Sequence, residues 1–139
     1  MSLSMSEAER SAYLADVHVG VISIARAERG PLTVPIWYDY VPGGKVTIIT
    51  NPGSLKGKAL ANVQRISLCA QSETLPYRYV SVEGPFTTRA LEAGELERMA
   101  VRYLGDEAGK AYAASGQGSD DVVIELEPER WLSVDYGKA

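Results

Sequence analysis

Runs of five to nine residues rich in Val, Ile, Thr and aromatic side chains, each closed by Gly, Pro or Asn, recur along most of this chain. Side chains in such runs alternate between two faces, and burying one face requires a sheet rather than a bundle of helices. Residues 18–25, 32–40, 46–50, 66–71, 77–84 and 122–126 read as six strands. Glu28-Arg29-Gly30-Pro31 supplies the first turn, and Pro42-Gly43-Gly44 closes a hairpin into the third strand. Pro35 cannot donate to a ladder, so it marks an edge, a bulge or a break in pairing.

Helical signals punctuate these strands. Ser6 with Glu9 forms a capping box that opens a short helix through Ala8, Ala12, Tyr13 and Leu14. Ser54 reads as the N-cap of a second helix, striped by Leu55, Ala59, Leu60 and Val63. Leu96, Met99, Ala100, Tyr103 and Leu104 share helical spacing, a shorter helix follows over residues 107–114, and residues 116–119 read as a loop. The order is helix, three strands, helix, two strands, helices, strand. It predicts a mainly β fold with flanking helices: an antiparallel sheet closed into a barrel, within one domain over residues 1–139. Strands and helices do not alternate and no G-x-G-x-x-G appears, which argues against a Rossmann domain.

Composition removes several function classes. No stretch approaches the roughly 20 apolar residues of a membrane span, and residues 1–5 lack the basic and apolar pattern of a signal peptide. Cys69 stands alone, so an intramolecular disulfide and a cysteine zinc site are both excluded, and a reducing cytoplasm is the expected setting. A net charge of −4 argues against a duplex nucleic-acid partner.

The charge is unevenly spread. The 33 residues between Asp39 and Glu73 hold Lys45, Lys56, Lys58 and Arg65 but no acid, although 18 acidic residues in 139 would put about four there. Within that stretch lies Thr50-Asn51-Pro52-Gly53-Ser54-Leu55-Lys56-Gly57-Lys58. Helix N-termini ordinarily carry Asp or Glu, because the first-turn amides form a partial positive charge. Two lysines there are mildly unfavourable unless an outside anion joins them. A phosphate would gather the amides, the Ser54 hydroxyl and both ammonium groups. The plainer alternative is two solvated lysines on a surface turn.

At these residues the sequence resembles the pyridoxamine phosphate oxidase-like flavin and deazaflavin oxidoreductases, the FMN-binding split-barrel family. The likeness runs in order from about Leu14 to Val134. It rests on the strand at 18–23, the proline-containing segment at 34–40, Ile49-Thr50, and Ser54-Leu55-Lys56-Gly57-Lys58 for the family's K-x-[KR] element. Ile66-Ser67-Leu68-Cys69 and Tyr79-Val80-Ser81-Val82-Glu83-Gly84, like the family's V-x-V-E-G strand, complete it. Ala59-Leu60 stands where the family usually has Asn-Leu.

The resemblance implies a homodimer with FMN or the deazaflavin coenzyme F-420 at the subunit interface. The basic residues suit the longer anionic tail of the deazaflavin. The cofactor phosphate would contact Ser54, Lys56 and Lys58, with Thr50 and Asn51 beside it. The tricyclic ring would lie along the backbone of Val34, Pro35, Ile36 and Trp37. Gln71, Tyr79 or Trp131 would reach across from the second subunit. The activity implied is hydride transfer to or from a small organic substrate, which needs no catalytic triad because the cofactor carries the chemistry. Arg130-Trp131 echoes only part of the C-terminal motif of authentic pyridoxamine phosphate oxidases, so the substrate stays open. A non-catalytic cofactor carrier or sensor on the same barrel is a second reading. A single-stranded nucleic-acid module built on Tyr77-Arg78-Tyr79 is a third and weaker one. His18 reads as structural, Cys69 as core, and Trp37 as either a ring flank or barrel filling.

Overall fold

The computed structural model describes residues 2–116 and 120–139. The predicted loop at 116–119 therefore lies outside the described residues, except for Gly116. Helix α1 (Glu7–Ala15) starts with the expected box: the Ser6 Oγ accepts from the Glu9 amide at 3.1 Å and Glu9 Oε1 accepts from the Ser6 amide at 2.8 Å. Then come strands β1 (Gly20–Arg26), β2 (Arg29–Ile36), β3 (Asp39–Tyr40) and β4 (Val46–Thr50), and helix α2 (Leu55–Leu60). Strands β5 (Arg65–Gln71) and β6 (Arg78–Ala90), helices α3 (Glu95–Leu104) and α4 (Asp106–Ala114), and strands β7 (Val122–Leu126) and β8 (Arg130–Asp135) complete the chain before a final 3-10 turn.

All pairing is antiparallel, in the order β2-β1-β5-β6-β7-β4-β3, with β8 on β6. Strand β6 belongs to both halves of this sheet. Residues 79–85 pair with β5 on one side and residues 78–83 with β8 on the other, whereas residues 86–90 pair with β7. At Gly84 a Cβ would drive into the Glu127 carbonyl, so only glycine lets the segment between β7 and β8 cross this closely.

Two expectations are corrected here. Residues 32–40 are not one strand: β2 and β3 lie at opposite ends of the pairing order, joined only by Trp37-Tyr38. A two-residue link between the two edges forces the sheet to curl on itself. The ladder nevertheless does not close, because no pairing joins β2 to β3 among the described residues. The barrel is split, and covalent chain rather than hydrogen bonds crosses the split. The second correction is β8, which the reading of the sequence omitted.

Pro35 sits opposite Val21 in the β1–β2 ladder. Lacking an N–H, it fits only a non-hydrogen-bonded pair, which turns the backbone of Pro31, Thr33 and Pro35 toward the free edge. Two of those three residues have no donor, which blunts the edge against pairing with another strand.

Inside the curl, Leu14, Ile22, Ile24, Tyr38, Ile48, Leu68, Val80, Val82 and Leu126 are fully or almost fully buried. Each such side chain contributes roughly 1.5–3 kcal/mol by leaving water. A second apolar patch of Met99, Ala100 and Val123 lies apart from this main cluster.

Candidate functional site

The turn after β4 has a definite shape. Ser54 caps α2: its Oγ accepts from the Gly57 amide at 3.1 Å and donates to the Asn51 carbonyl at 2.7 Å. The Asn51 side chain accepts from the Gly53 amide at 2.7 Å. At Gly57 a Cβ would run into the Asn51 carbonyl and the Pro52 backbone, so the glycine between the two lysines allows the helix to press onto the turn. A glycine inside a six-residue helix is a signal of such a close approach that the sequence itself carries.

Ser54 thus spends its single proton on the Asn51 carbonyl and has no donor left for an anion. The donors left for an anion are the amides of Leu55 and Lys56, which have no acceptor within the helix, and the two ammonium groups. Lys56 is half-buried and Lys58 exposed, and neither forms an ion pair among the described residues. Arg65, from the same acid-free stretch, differs: Glu129 meets it at 2.8 Å and Glu83 at 3.9 Å. This donor set, two free cations and two free amides on one short turn, fits a phosphate group.

The remaining sequence-derived residues fall into three places. Val34 and Ile36 turn their side chains into the barrel and their backbone groups toward β1, so the backbone open to a ligand at the split edge is that of Pro35. Thr50 is buried at the end of β4. Pro35, Gln71 and Tyr79 share the outer face of the first half-sheet, with Gln71 and Tyr79 directly paired across β5 and β6. That face carries one register row through all five strands: Pro35, Val21, Cys69, Ser81 and Leu132. Helix α2 packs on β1, which puts the lysine turn beside this half-sheet.

Trp37 lies in the crossover and stacks on Tyr103 of α3, with centroids 5.0 Å apart and planes at 7°, and tilts against Tyr112 of α4 at 5.8 Å. Arg102 and Tyr103 then fix this crossover. Arg102 Nε donates to the Tyr38 carbonyl at 3.0 Å, its Nη2 reaches the Ala15 and Asp16 carbonyls, and its Nη1 pairs with Asp39 at 3.4 Å. These residues escaped the reading of the sequence. An arginine in the last turn of an amphipathic helix was the available hint.

Trp131 points inward and meets Tyr40 edge-on at 6.1 Å. Its face is covered by Arg10, 4.6 Å from the ring centroid. Cys69 departs from its expected core position. Strand alternation buries Leu68 and leaves Cys69 half-buried on the outer face, where desolvation raises its thiol pKa and keeps it protonated. His18 stacks on Tyr13 at 4.4 Å, with Nε2 3.1 Å from the Tyr13 carbonyl; burial lowers its pKa. Arg78 sits over Tyr13 and apart from exposed Tyr77, so Tyr77, Arg78 and Tyr79 form no continuous stacking surface.

An antiparallel sheet curled into a split barrel, with a phosphate-fitting turn beside its first half-sheet, defines a split-barrel protein. A profile of the family described as pyridoxamine 5'-phosphate oxidase matches residues 6–135, and the chain belongs to that family. No curated protein matches the chain. Among solved structures, a conserved hypothetical protein of Mycobacterium tuberculosis, Rv2991, superimposes with a TM-score of 0.78 at 24% identity, covering 99% of this chain and 89% of the other. A structure titled F420 reductase gives 0.70 at 19% identity, with 88% and 94% covered. A FAD-binding protein of Mesorhizobium loti gives 0.66 at 20% identity, with 94% and 92% covered. At these identities the likeness to solved structures is one of fold. No helix among the described residues is long and apolar enough to cross a membrane.

Proposed function

We propose that this protein is an FMN- or deazaflavin-dependent oxidoreductase that acts on a small organic substrate, as a homodimer in the cytoplasm. The observation that carries this reading is the pair Lys56 and Lys58, free of carboxylates on a turn whose first amides are also unpaired. Lys56, Lys58 and the Leu55 and Lys56 amides would hold the cofactor phosphate, while Ser54 and Asn51 keep the turn in shape. The backbone from Val34 to Trp37 would support the ring, with Trp37 held rigid by Tyr103. Once bound, the cofactor supplies hydride transfer; the chain contributes binding, orientation and exclusion of water.

The outer row of Pro35, Val21, Cys69, Ser81 and Leu132 supports the second subunit, since it offers a weakly polar face on which Leu132 is 58% exposed. Gln71 and Tyr79 stand on that face, where they would meet the partner's cofactor.

Titration of apo-protein with FMN and, separately, with coenzyme F-420, followed by fluorescence, tests the reading. Tight binding of one, weakened about ten-fold or more per lost contact by Lys56→Ala with Lys58→Ala but not by Lys110→Ala, is the expected result. Binding of neither cofactor, or equal binding by both variants, would sink it. Tight binding without turnover of any acceptor would instead favour a carrier or sensor.

A further inference from the structure

Helix α3 does not lie flush on the second half-sheet. Between it and the β3–β4 hairpin is a cleft of about 340 Å³, floored by Thr47, Ile49 and Glu125 and walled by Glu95, Arg98 and Met99. Asp39, Tyr40, Val41, Gly44 and Lys45 form its other rim. The floor follows the register row Asp39, Thr47, Glu125 across β3, β4 and β7.

The charges around this cleft are not balanced within it. Each carboxylate already has a cation that lies outside the lining. Arg89 grips Glu95 with two bonds of 2.6 and 2.7 Å and meets Glu125 at 3.4 Å. Glu95 also accepts the Glu92 amide at 2.7 Å, and Arg102 holds Asp39 at 3.4 Å. Lys45 and Arg98, by contrast, face the cleft without an ion pair among the described residues. Two cations without ion pairs, beside the apolar side chains of Val41, Ile49 and Met99, make a receptor for a monoanion with an apolar body. A compact polyanion would be repelled more strongly than a monoanion by the carboxylates of Asp39, Glu95 and Glu125, which also line the cleft.

We propose that the cleft between the β3–β4 hairpin and α3 binds a small organic acid, its carboxylate between Lys45 and Arg98 and its apolar body on Val41, Ile49 and Met99. This site is separate from the lysine turn. Lys45 and Ser54 stand beyond opposite ends of β4, whose five residues span roughly 17 Å. Gly94 leaves room for the guanidinium, since a Cβ there would lie 3.3 Å from Arg98 Nη1.

Benzoate is a suitable probe, with benzyl alcohol as its neutral analogue and inorganic phosphate as the bare anion. Amide NMR titration of the full chain should show saturable shifts at Lys45, Thr47, Ile49 and Met99. Benzoate should bind more tightly than either control, and added salt should weaken it. Lys45→Ala with Arg98→Ala should reduce benzoate affinity about ten-fold or more, with circular dichroism unchanged because both side chains are exposed. Lys56→Ala with Lys58→Ala should leave it unaltered. Absence of saturation in the millimolar range, equal affinity in the Lys45/Arg98 variant, or phosphate binding as tightly as benzoate would each overturn the assignment.

Discussion

The Tyr103 hydroxyl accepts from the Tyr38 amide at 3.0 Å, and so ties helix α3 to the two-residue crossover between the barrel's unpaired edges. The same hydroxyl donates to the His18 carbonyl at 2.6 Å, which brings the start of β1 into the clasp. Where strands leave the barrel open, one phenol holds three segments together.

Removing that hydroxyl should therefore cost more than its size suggests. Tyr103→Phe leaves a part-buried amide and a carbonyl without partners, a loss of about 1–3 kcal/mol in urea denaturation. Tyr112→Phe, on the other side of the Trp37 stack, removes no hydroxyl hydrogen bond among the described residues and should change stability little. Equal losses in the two variants would remove the clasp as the explanation.

This clasp also marks where sequence reading stops. The capping box of Ser6 and Glu9, the Ser54 cap and the alternating runs are local signals, and the structure places helices and strands on them. Residues 32–40 look like one strand because β propensity is continuous through Trp37, and nothing local reveals that Ile36 and Asp39 serve opposite edges. Gly84-Pro85 resembles a terminator, yet the strand runs through it to Ala90. Strand β8 was missed because Arg130, Ser133 and Asp135 dilute its apolar alternation. At the site, the acid-free stretch was visible, but the neutralisation of Arg65 by Glu83 and Glu129 depends on residues distant in sequence.

Close backbone crossings make a second prediction. Gly84→Ala places a methyl group against the Glu127 carbonyl, and backbone cannot move aside as a flexible side chain would. A loss of about 3 kcal/mol or more, or failure to fold, is expected. Gly30→Ala meets nothing within 4 Å and should be close to neutral. Thermal melts of the two variants make the comparison.

The N-terminal cap should give a pH signature. Lys138 at 2.8 Å, together with the Ser6 amide, holds the Glu9 carboxyl down at about 2, against an ordinary value of 4.5. A depressed acid stabilises the fold fully above its unfolded pKa. That contribution is lost as pH falls from about 4.5 through about 2. Carboxyl NMR should find the Glu9 midpoint near the lower value, and Glu9→Gln should flatten the stability profile in that window. A midpoint near 4.5 would mean that the cap and the lysine contact do not persist in solution.

Arg89 provides a test of the cleft that touches neither proposed ligand contact. It neutralises Glu95 and Glu125 from outside the lining, so Arg89→Gln would leave two carboxylates free to pair with Lys45 and Arg98 or to repel an incoming acid. Benzoate affinity should fall several-fold, while the proposed cofactor binding at the lysine turn should stay unchanged. Glu125→Gln removes one of those carboxylates and should move benzoate affinity the other way. The two changes alter the charge beside the cleft in opposite senses. Shifts in the same direction would show that packing around α3, rather than the unpaired cations, governs what the cleft accepts.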